Sequence, residues 1–531
     1  MKKNDIKLLK DKNGELTSDP SNVENVNKLL NNKGCGFCLA KFTQVTMHLG
    51  TGYMHSCHHP KMHKIPLDEL QEDYRALFNT KHLKKARKQM LTNQKPSECD
   101  YCWRIEDDGN LSDRSFKSMK PWALDRHDEI IESTGDENIT PTYLEVSFSN
   151  ACNMSCLYCG PQFSSKWVED LKQKGPMKVL EGLGENERWV QGWQDLDTLN
   201  YKNREENPYV EAFWKWFPEI YSSLETYRIT GGEPLMSKET FRSMDWIAEN
   251  PNEKLDFSIN TNLGVPDKLW QKFIEKLKKI KNNKVKGVTI FTSCEAWGKR
   301  AEYIRRGLDF ELFKTRYEEL ASLGNVKVVV MAAYNVLSIS SFQQFLEWQL
   351  EMKKKYNFNS AVLWWEDNVP FKFREGPSNV ELKKNSPSHI LPLGIDIPYV
   401  RHPRFLDAQI STDHLVQDFM IPTMNYMANN TVDNKWMMHT SFELNEMYKL
   451  KQITDHRMSI THSIEPNTPH HYKTIIMPRA ELYDFLNVKD SRDGTNFLET
   501  FPEMAEFYEE CRLAKEIVKS KYKTTTVDNV V

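Results

Sequence analysis

The most constraining feature of this 531-residue chain is a set of three cysteines with the spacing C-x3-C-x2-C. Cys152, Cys156 and Cys159 follow a strand-like run at residues 143–148. Three thiolates in one short loop fit a cubic 4Fe–4S cluster that has one iron without a cysteine, whereas a cluster built only for electron transfer has four. The open iron is then free to bind a substrate or cofactor, as the open position of a catalytic zinc is. A zinc knuckle and buried free thiols are the alternatives.

An aromatic residue, Tyr158, stands directly before the last cysteine. With this residue the loop resembles that of the radical S-adenosylmethionine (radical SAM) superfamily. The resemblance implies that the open iron chelates the amino and carboxylate groups of S-adenosylmethionine (SAM). The backbone around Tyr158 and the fifth strand end, at residues 331–335, are both candidate walls of the adenine site. The resemblance also implies that one electron from the cluster breaks the C–S bond of SAM, so that a 5′-deoxyadenosyl radical forms for C–H activation. The three cysteines are the catalytic residues that follow from it.

Composition excludes several other classes of protein. The net charge of −3 gives no general reason to expect binding to nucleic acid or a membrane. No apolar stretch approaches the roughly 20 residues that a membrane-spanning helix needs, and the N-terminus lacks the apolar run of a signal peptide. The ten cysteines occur mainly as close pairs and a triplet, which favours metal ligation over disulfides. We therefore expect a cytoplasmic protein with neither a membrane nor a nucleic acid as partner.

Strand-like and helix-like segments alternate from about residue 142 to residue 365, which predicts a parallel α/β sheet. The predicted strands are 143–148, 226–230, 255–260, 285–293, 326–333 and 361–365. The predicted helices between them are 238–249, 266–280, 310–323 and 339–356. Six strands fit the partial (β/α)6 barrel that the resemblance implies, and such folds place the active site at the carboxyl ends of the strands.

Three regions are predicted along the chain. Residues 1–125 form an N-terminal module, and residues 140–370 form the partial barrel with an insertion at about 162–222. The insertion contains a helix at 208–224 that is expected to pack on the barrel, with a lid or substrate wall as the alternative. Residues 371–531 form a mainly helical or irregular region that caps the barrel or contacts a substrate or partner.

A second motif, Gly-Gly-Glu-Pro, ends the next predicted strand of the barrel. Glycines at a strand end let the backbone approach a ligand closely. The radical SAM resemblance implies that Gly231 and Gly232 supply backbone contacts to the methionine amino group of SAM. It further implies that Glu233 supplies the carboxylate that pairs with this ammonium.

Later strand ends supply the remaining candidates for SAM binding. Asn260 and Asn262 resemble the polar strand end of the family, and capping of a turn is the alternative for either residue. In relatives of this type a serine at the position of Ser293 contacts the ribose. An arginine at the spacing of Arg305 binds the carboxylate, with a bidentate geometry that lysine cannot reproduce. Arg306 is the neighbouring candidate, and surface salt bridging is the alternative for both arginines.

The N-terminal module holds five more cysteines, of which four would suffice for one metal centre. Two close pairs fit a four-cysteine zinc site, Cys35/Cys38 with Cys99/Cys102. The alternative is a second 4Fe–4S cluster, because a cysteine, a hairpin, a cysteine and a final C-x2-C pair resemble the twitch and SPASM auxiliary modules. An N-terminal twitch family is the nearest resemblance, and it implies Cys38, Cys57, Cys99 and Cys102 as ligands, with Cys35 spare. Four cysteines would make that cluster an electron conduit.

Taken together, these features predict an oxidoreductase of the radical SAM type that acts on a peptide or protein and carries an auxiliary cluster. Sugars, nucleotides and other small molecules are the alternative substrates. A non-catalytic zinc or iron–sulfur protein is the alternative from a different class. The expected partners are the substrate and an external electron donor such as flavodoxin or ferredoxin.

Overall fold

The computed structural model describes residues 20–180, 201, 205–280, 284–323, 326–357, 393–432, 438–463 and 468–528. The chain divides into two compact units. The first comprises Met1–Ala151, Leu199–Asn260 and Gln271–Val288. The second comprises Cys152–Thr198, Thr261–Trp270 and Thr289–Val531.

The described residues form eleven strands, which we number in chain order. They are β1 (Gln44–His48), β2 (Tyr53–His55), β3 (His63–Lys64), β4 (Tyr143–Ser147), β5 (Ser155–Cys156), β6 (Thr226–Thr230), β7 (Asn252–Thr261), β8 (Val285–Thr292), β9 (Arg305–Arg306), β10 (Lys327–Met331) and β11 (Leu393–Asp396).

The first unit contains six strands in the order β7-β6-β4-β1-β2-β3. Four of them, β7, β6, β4 and β1, are parallel, and β2 and β3 extend the sheet in antiparallel fashion. Buried and partly exposed residues alternate along β6: Tyr227 and Ile229 are buried, while Arg228 and Thr230 lie on the other face. This alternation gives the sheet one apolar packed face and one polar face. The strands predicted at 143–148, 226–230 and 255–260 are confirmed.

Strand β1 brings the N-terminal segment into this sheet. It pairs in parallel with β4 from Gln44 opposite Tyr143 to His48 opposite Ser147, so both strands end at the same edge. The predicted hairpin follows as β1 and β2, with Gly52 at a φ of +69° in the turn. The first unit thus continues through residue 125, where the sequence predicted a domain boundary, as far as Ala151.

The predicted helix of the insertion is present as Pro208–Ile220 in the first unit. Its aromatic side chains pack on the sheet: Phe213 meets Phe148 edge-on at 5.2 Å between ring centroids, and Phe217 lies 5.1 Å from Tyr227. The predicted packing role of this helix is therefore confirmed.

In the second unit, β8, β10 and β11 pair in parallel in that order, and β5 pairs with β9. The strands predicted at 285–293 and 326–333 correspond to β8 and β10. The sixth strand, predicted at 361–365, lies outside the described residues. Besides β8, the parallel neighbour of β10 is β11, which begins about sixty residues after the end of β10.

The longer helices are Pro20–Lys33, Lys81–Leu91, Ser165–Lys174, Pro208–Ile220, Lys238–Glu249, Asp267–Ile280, Phe310–Ser322, Phe342–Met352, Ile421–Asn429, Ser441–Ser463, Met477–Asp493 and Ala505–Asp528. Shorter ones are Ala40–Thr43, Leu67–Glu72, Asp100–Asp107, Asp113–Ser118, Pro121–Leu124, His127–Glu132, Lys299–Ile304, Asp413–Leu415, Pro469–His471 and Phe497–Thr500. The four helices predicted within 238–356 are confirmed. Among the residues described, no helix combines the length and apolar character needed to cross a membrane.

Candidate active site

The cysteine loop is held in the second unit by the short antiparallel pair of β5 and β9. Cys156 lies opposite Arg305, and Ser155 lies opposite Arg306. The Leu157 N–H donates to the Ile304 carbonyl at 2.9 Å and continues this pairing. The middle cysteine of the triplet and the predicted arginine are therefore backbone partners.

The three thiols of the triplet lie close to one another. Burial raises the pKa of the Cys159 thiol, and the Cys156 and Cys152 thiols raise it further. Cys152 Sγ accepts the Met154 N–H at 3.5 Å and lies 4.0 Å from Asn262 Nδ2. Because thiolates rather than thiols bind metals, a positively charged centre is needed to hold these buried groups deprotonated. This donor set of three converging thiols fits a cluster that has one open iron.

Arg305 joins the cysteine loop to a buried carboxylate, Glu295. Its Nε and Nη2 both lie 2.9 Å from Glu295 Oε2, while Nη1 lies 3.7 Å from Cys156 Sγ. The Tyr158 hydroxyl donates to the same Glu295 oxygen at 3.2 Å, and the guanidinium lies over the Tyr158 ring at 5.5 Å. The other oxygen, Glu295 Oε1, is buried without a hydrogen-bond partner among the described residues.

Burial and charge act against each other on these groups. Burial alone would lower the pKa of Arg305, but the Glu295 carboxylate, Tyr158 and the neighbouring cysteines together raise it well above its usual value, so the guanidinium stays charged. Burial raises the pKa of Glu295 and of Cys156, and in both cases Arg305 opposes the rise. Burial also raises the pKa of the Tyr158 hydroxyl, which therefore remains a donor.

The Gly-Gly-Glu turn lies in the first unit, against the end of β4. Gly231 has a φ of +136°, and a Cβ on Gly232 would meet the Ala151 and Asn150 oxygens at 2.5 and 2.7 Å. The Glu233 N–H donates to the Ala151 carbonyl at 2.7 Å. Ala151 directly precedes Cys152 in the chain. Both glycines are therefore required by the close approach of two backbone segments.

The side chain of Glu233 is buried, and its Oε1 accepts the Leu235 N–H at 3.0 Å. This contact caps the short 3-10 helix Pro234–Met236. The observed bond is therefore a local capping interaction; the predicted pairing with an ammonium remains a prediction.

The other predicted SAM contacts, Asn260, Asn262 and Ser293, lie in different parts of the structure. Asn260 Oδ1 accepts from Arg228 Nε at 3.0 Å in the first unit, whereas Asn262 lies at the cysteine loop in the second and donates to Asn153 Oδ1 at 2.9 Å. Ser293 follows β8 directly and is partly exposed.

Arg306, the neighbouring candidate for the carboxylate, faces a separate ionic network. Its Nη2 lies 3.0 Å from Asp170 and 2.6 Å from Asp493. Arg492 also binds Asp170, at 3.1 Å. Arg305 and Arg306 thus both bind carboxylates of the protein itself. Their spacing in the sequence did not predict these partners.

Four of the five N-terminal cysteines line one pocket of the first unit. They are Cys38, Cys57, Cys99 and Cys102. Burial raises the pKa of Cys57 to about 11, with further increases from Cys38 and Cys102, which shows how close these thiols lie. Cys35 is exposed instead, and both its N–H and its Sγ contact Asn93 Oδ1, at 2.9 and 3.5 Å.

Charged groups surround this pocket, and three of them, Lys41, Glu98 and Asp113, were not predicted from the sequence. Lys41 is 2 % exposed, forms an ion pair with Glu98 and lies near Cys99. His59 Nε2 and Asp113 Oδ2 are 2.6 Å apart at the pocket wall. The available signal for Lys41 was its position three residues after Cys38, in the short helix Ala40–Thr43 that follows this cysteine.

Residues 146–348 match the radical SAM superfamily. No curated protein and no solved structure matches the chain significantly. The matched segment contains the cysteine triplet, the Gly-Gly-Glu turn and Arg305, and it begins after the N-terminal cysteines. Residues 146–348 therefore form a radical SAM superfamily domain, and this domain supports an enzyme that cleaves SAM at a 4Fe–4S cluster.

Proposed function

We propose that this enzyme activates a C–H bond of a peptide or protein, with its catalytic 4Fe–4S cluster on Cys152, Cys156 and Cys159. When bound, the cluster supplies the electron that splits SAM into methionine and a 5′-deoxyadenosyl radical. In the first unit, we assign the methionine ammonium to Gly231, Gly232 and Glu233 on the family pattern. Asn260, Asn262 and Ser293 are further candidates for polar contacts to SAM.

One observation carries the assignment of the catalytic cluster. Three thiols converge in a loop that directly follows a parallel strand, within the segment that matches the radical SAM superfamily. The carboxyl ends of parallel strands are where α/β folds place their active sites. An external donor such as flavodoxin or ferredoxin is the proposed reductant, and the cytoplasm is the proposed location.

Replacement of Cys156 by Ala tests this assignment. We expect the variant to lose about four irons per chain and to form no 5′-deoxyadenosine from SAM under reducing, anaerobic conditions. Cys511→Ala is the matched control, since it also removes a buried thiol but from the helix Ala505–Asp528. Continued 5′-deoxyadenosine formation by the Cys156 variant would reject the assignment.

We further propose that Cys38, Cys57, Cys99 and Cys102 hold an auxiliary 4Fe–4S cluster, in a module of the twitch type. Support comes from their convergence on one pocket, while Cys35 points to Asn93. Four cysteines leave no iron open, so the centre would relay electrons. The buried cation of Lys41 would offset the negative charge of the thiolates.

Metal analysis of matched variants tests the auxiliary centre. Wild type should contain about eight irons if both centres are cubic clusters, or about four irons and one zinc if the N-terminal site is a zinc site. Cys38→Ala should lose the N-terminal metal, and Cys35→Ala should keep it. Equal losses from the two variants would contradict the choice of ligands.

A peptide or protein substrate is favoured by an open cavity in the first unit. It encloses about 1480 Å³, including solvent at its mouth, and lies beside Phe148 at the end of β4 and Met236 of the Gly-Gly-Glu-Pro segment. Four glutamates and three basic residues line it together with Trp214. An open mouth lets the rest of a polymer remain outside, and charges of both signs suit a polar peptide.

Fractionated cell extract distinguishes the two substrate classes. Wild-type enzyme is incubated with SAM, reductant and either the desalted macromolecules or the small-molecule filtrate, and 5′-deoxyadenosine is measured. We expect stimulation by the macromolecules and its loss after protease treatment of that fraction. Stimulation by the filtrate alone would contradict a peptide or protein substrate and would support a small-molecule substrate instead.

A further inference from the structure

Arg305 has protein partners on both sides of its guanidinium group. Nε and Nη2 both contact Glu295 Oε2 at 2.9 Å, and Nη1 approaches Cys156 Sγ at 3.7 Å. The side chain is about 4 % exposed, and Glu295 is fully buried. A guanidinium held in this way is fixed in position, because each partner constrains a different edge of the planar group.

A buried carboxylate that accepts two N–H groups holds its partner firmly. Arg305 is also the strand partner of Cys156 in the β5–β9 pair. Its backbone therefore pairs with the same cysteine that its side chain contacts. The Tyr158 hydroxyl donates to the Glu295 oxygen that binds Arg305, which restrains the carboxylate in turn. Tyr158, Glu295 and Arg305 therefore form one connected hydrogen-bond network next to Cys156.

We propose that Arg305 is a positioning residue that acts on the catalytic cluster through the sulfur of Cys156, and that Glu295 holds it there. This inference rests on the proposed ligand role of Cys156. It differs from the contact to the SAM carboxylate that the family resemblance implies, because two of the nitrogens that would form a bidentate contact already engage Glu295.

The consequence is a change in how readily the cluster accepts an electron. Hydrogen bonds to cluster sulfurs and nearby charges set the reduction potential of an iron–sulfur centre. The reduced cluster carries one more negative charge than the oxidised cluster. A charged N–H donor at Cys156 Sγ therefore favours the reduced form.

The ratio of reduced to oxidised cluster, measured without SAM, tests the proposal. Reconstituted wild type, Arg305→Gln and Arg305→Lys are equilibrated with the same reductant, and the reduced cluster is quantified by electron paramagnetic resonance. The signal to follow is the one that changes when SAM is later added. We expect the reduced-to-oxidised ratio to fall at least tenfold in both variants, equivalent to about 59 mV for a one-electron couple.

Arg300→Gln is the matched control. Arg300 lies on the helix that precedes β9, and its guanidinium forms a two-point ion pair with Glu503 at 2.8 Å. Its ratio should equal that of wild type. SAM affinity of the oxidised cluster is measured in parallel. An unchanged ratio in the Arg305 variants together with a large loss of SAM affinity would overturn the proposal in favour of the carboxylate contact.

Glu295→Asp keeps the charge of the pair but shortens the side chain by one methylene. We expect the reduced-to-oxidised ratio of the cluster to fall threefold or more. The shorter carboxylate would draw the Arg305 guanidinium away from Cys156. A wild-type ratio would overturn the positioning role of Glu295. Absence of any SAM-responsive signal in wild type is a different result, which rejects the proposed function itself.

Discussion

Replacement of Gly232 by Ala tests whether the Gly-Gly-Glu turn and the start of the cysteine loop depend on each other. The added Cβ would lie 2.5 Å from the Ala151 oxygen and 2.7 Å from the Asn150 oxygen. Real Cβ contacts stay beyond 3.0 Å, so the backbone before Cys152 must retreat by at least about half an ångström. The same movement weakens the 2.7 Å bond from the Glu233 N–H to the Ala151 carbonyl.

The expected cost combines two effects. Overpacking of a tight contact costs about 1–3 kcal/mol, and loss of one internal hydrogen bond adds about 0.5–1.5 kcal/mol. We expect the melting temperature to fall by roughly 2–4 °C per kcal/mol. We also expect less iron in the reconstituted enzyme, because the displaced residues lead directly into the first cysteine.

Differential scanning calorimetry and iron analysis measure these two effects. Gly394→Ala is the matched control, since a Cβ there meets only ordinary contacts at 3.9 and 4.0 Å and the backbone has no positive φ. The control should keep its melting temperature and its iron. If Gly232→Ala also matched wild type in both measurements, the close approach of the two backbone segments would be refuted.

Two further predictions concern ion pairs of the second unit. Arg306→Gln removes contacts to Asp170 and Asp493 at 3.0 and 2.6 Å, and we expect a loss of about 1–3 kcal/mol in denaturant unfolding, because Arg492 still binds Asp170; a change within error would contradict this. Burial alone would raise the pKa of Glu443, and the Lys353 ammonium together with His439 lowers it to about 2. Its contribution to stability, at most about 3 kcal/mol, is therefore complete above pH 4.5 and lost as the pH falls towards 2. Glu443→Gln should show a flatter pH dependence of the unfolding midpoint, and an unchanged profile would contradict this assignment.

The sequence predicted the parts of the fold that local patterns determine. Alternation of apolar residues located β4, β6 and β8, and helical periodicity located Lys238–Glu249 with the same bounds as the structure. The spacing of Cys152, Cys156 and Cys159 pointed to the chemistry, because so few arrangements place three thiolates in one loop. Each of these signals is contained in a short window of sequence.

Features that depend on distant parts of the chain were not predicted. The parallel pairing of β1 with β4 joins residues about a hundred positions apart, and no local pattern in β1 identifies its neighbour. Glu295 was missed because a single glutamate after a strand has no distinctive spacing, although Arg305 follows ten residues later. The predicted strand at 361–365 lies outside the described residues; the pairing of β10 with the short segment Leu393–Asp396, which contains a glycine, was not predicted.

We propose that the cluster on the cysteine triplet has an iron open to SAM. The most direct test is the electron paramagnetic resonance spectrum of the reduced wild-type enzyme, recorded before and after SAM is added. We expect a new set of signals on addition, because SAM would coordinate the open iron. An unchanged spectrum from enzyme with its full content of iron would contradict it.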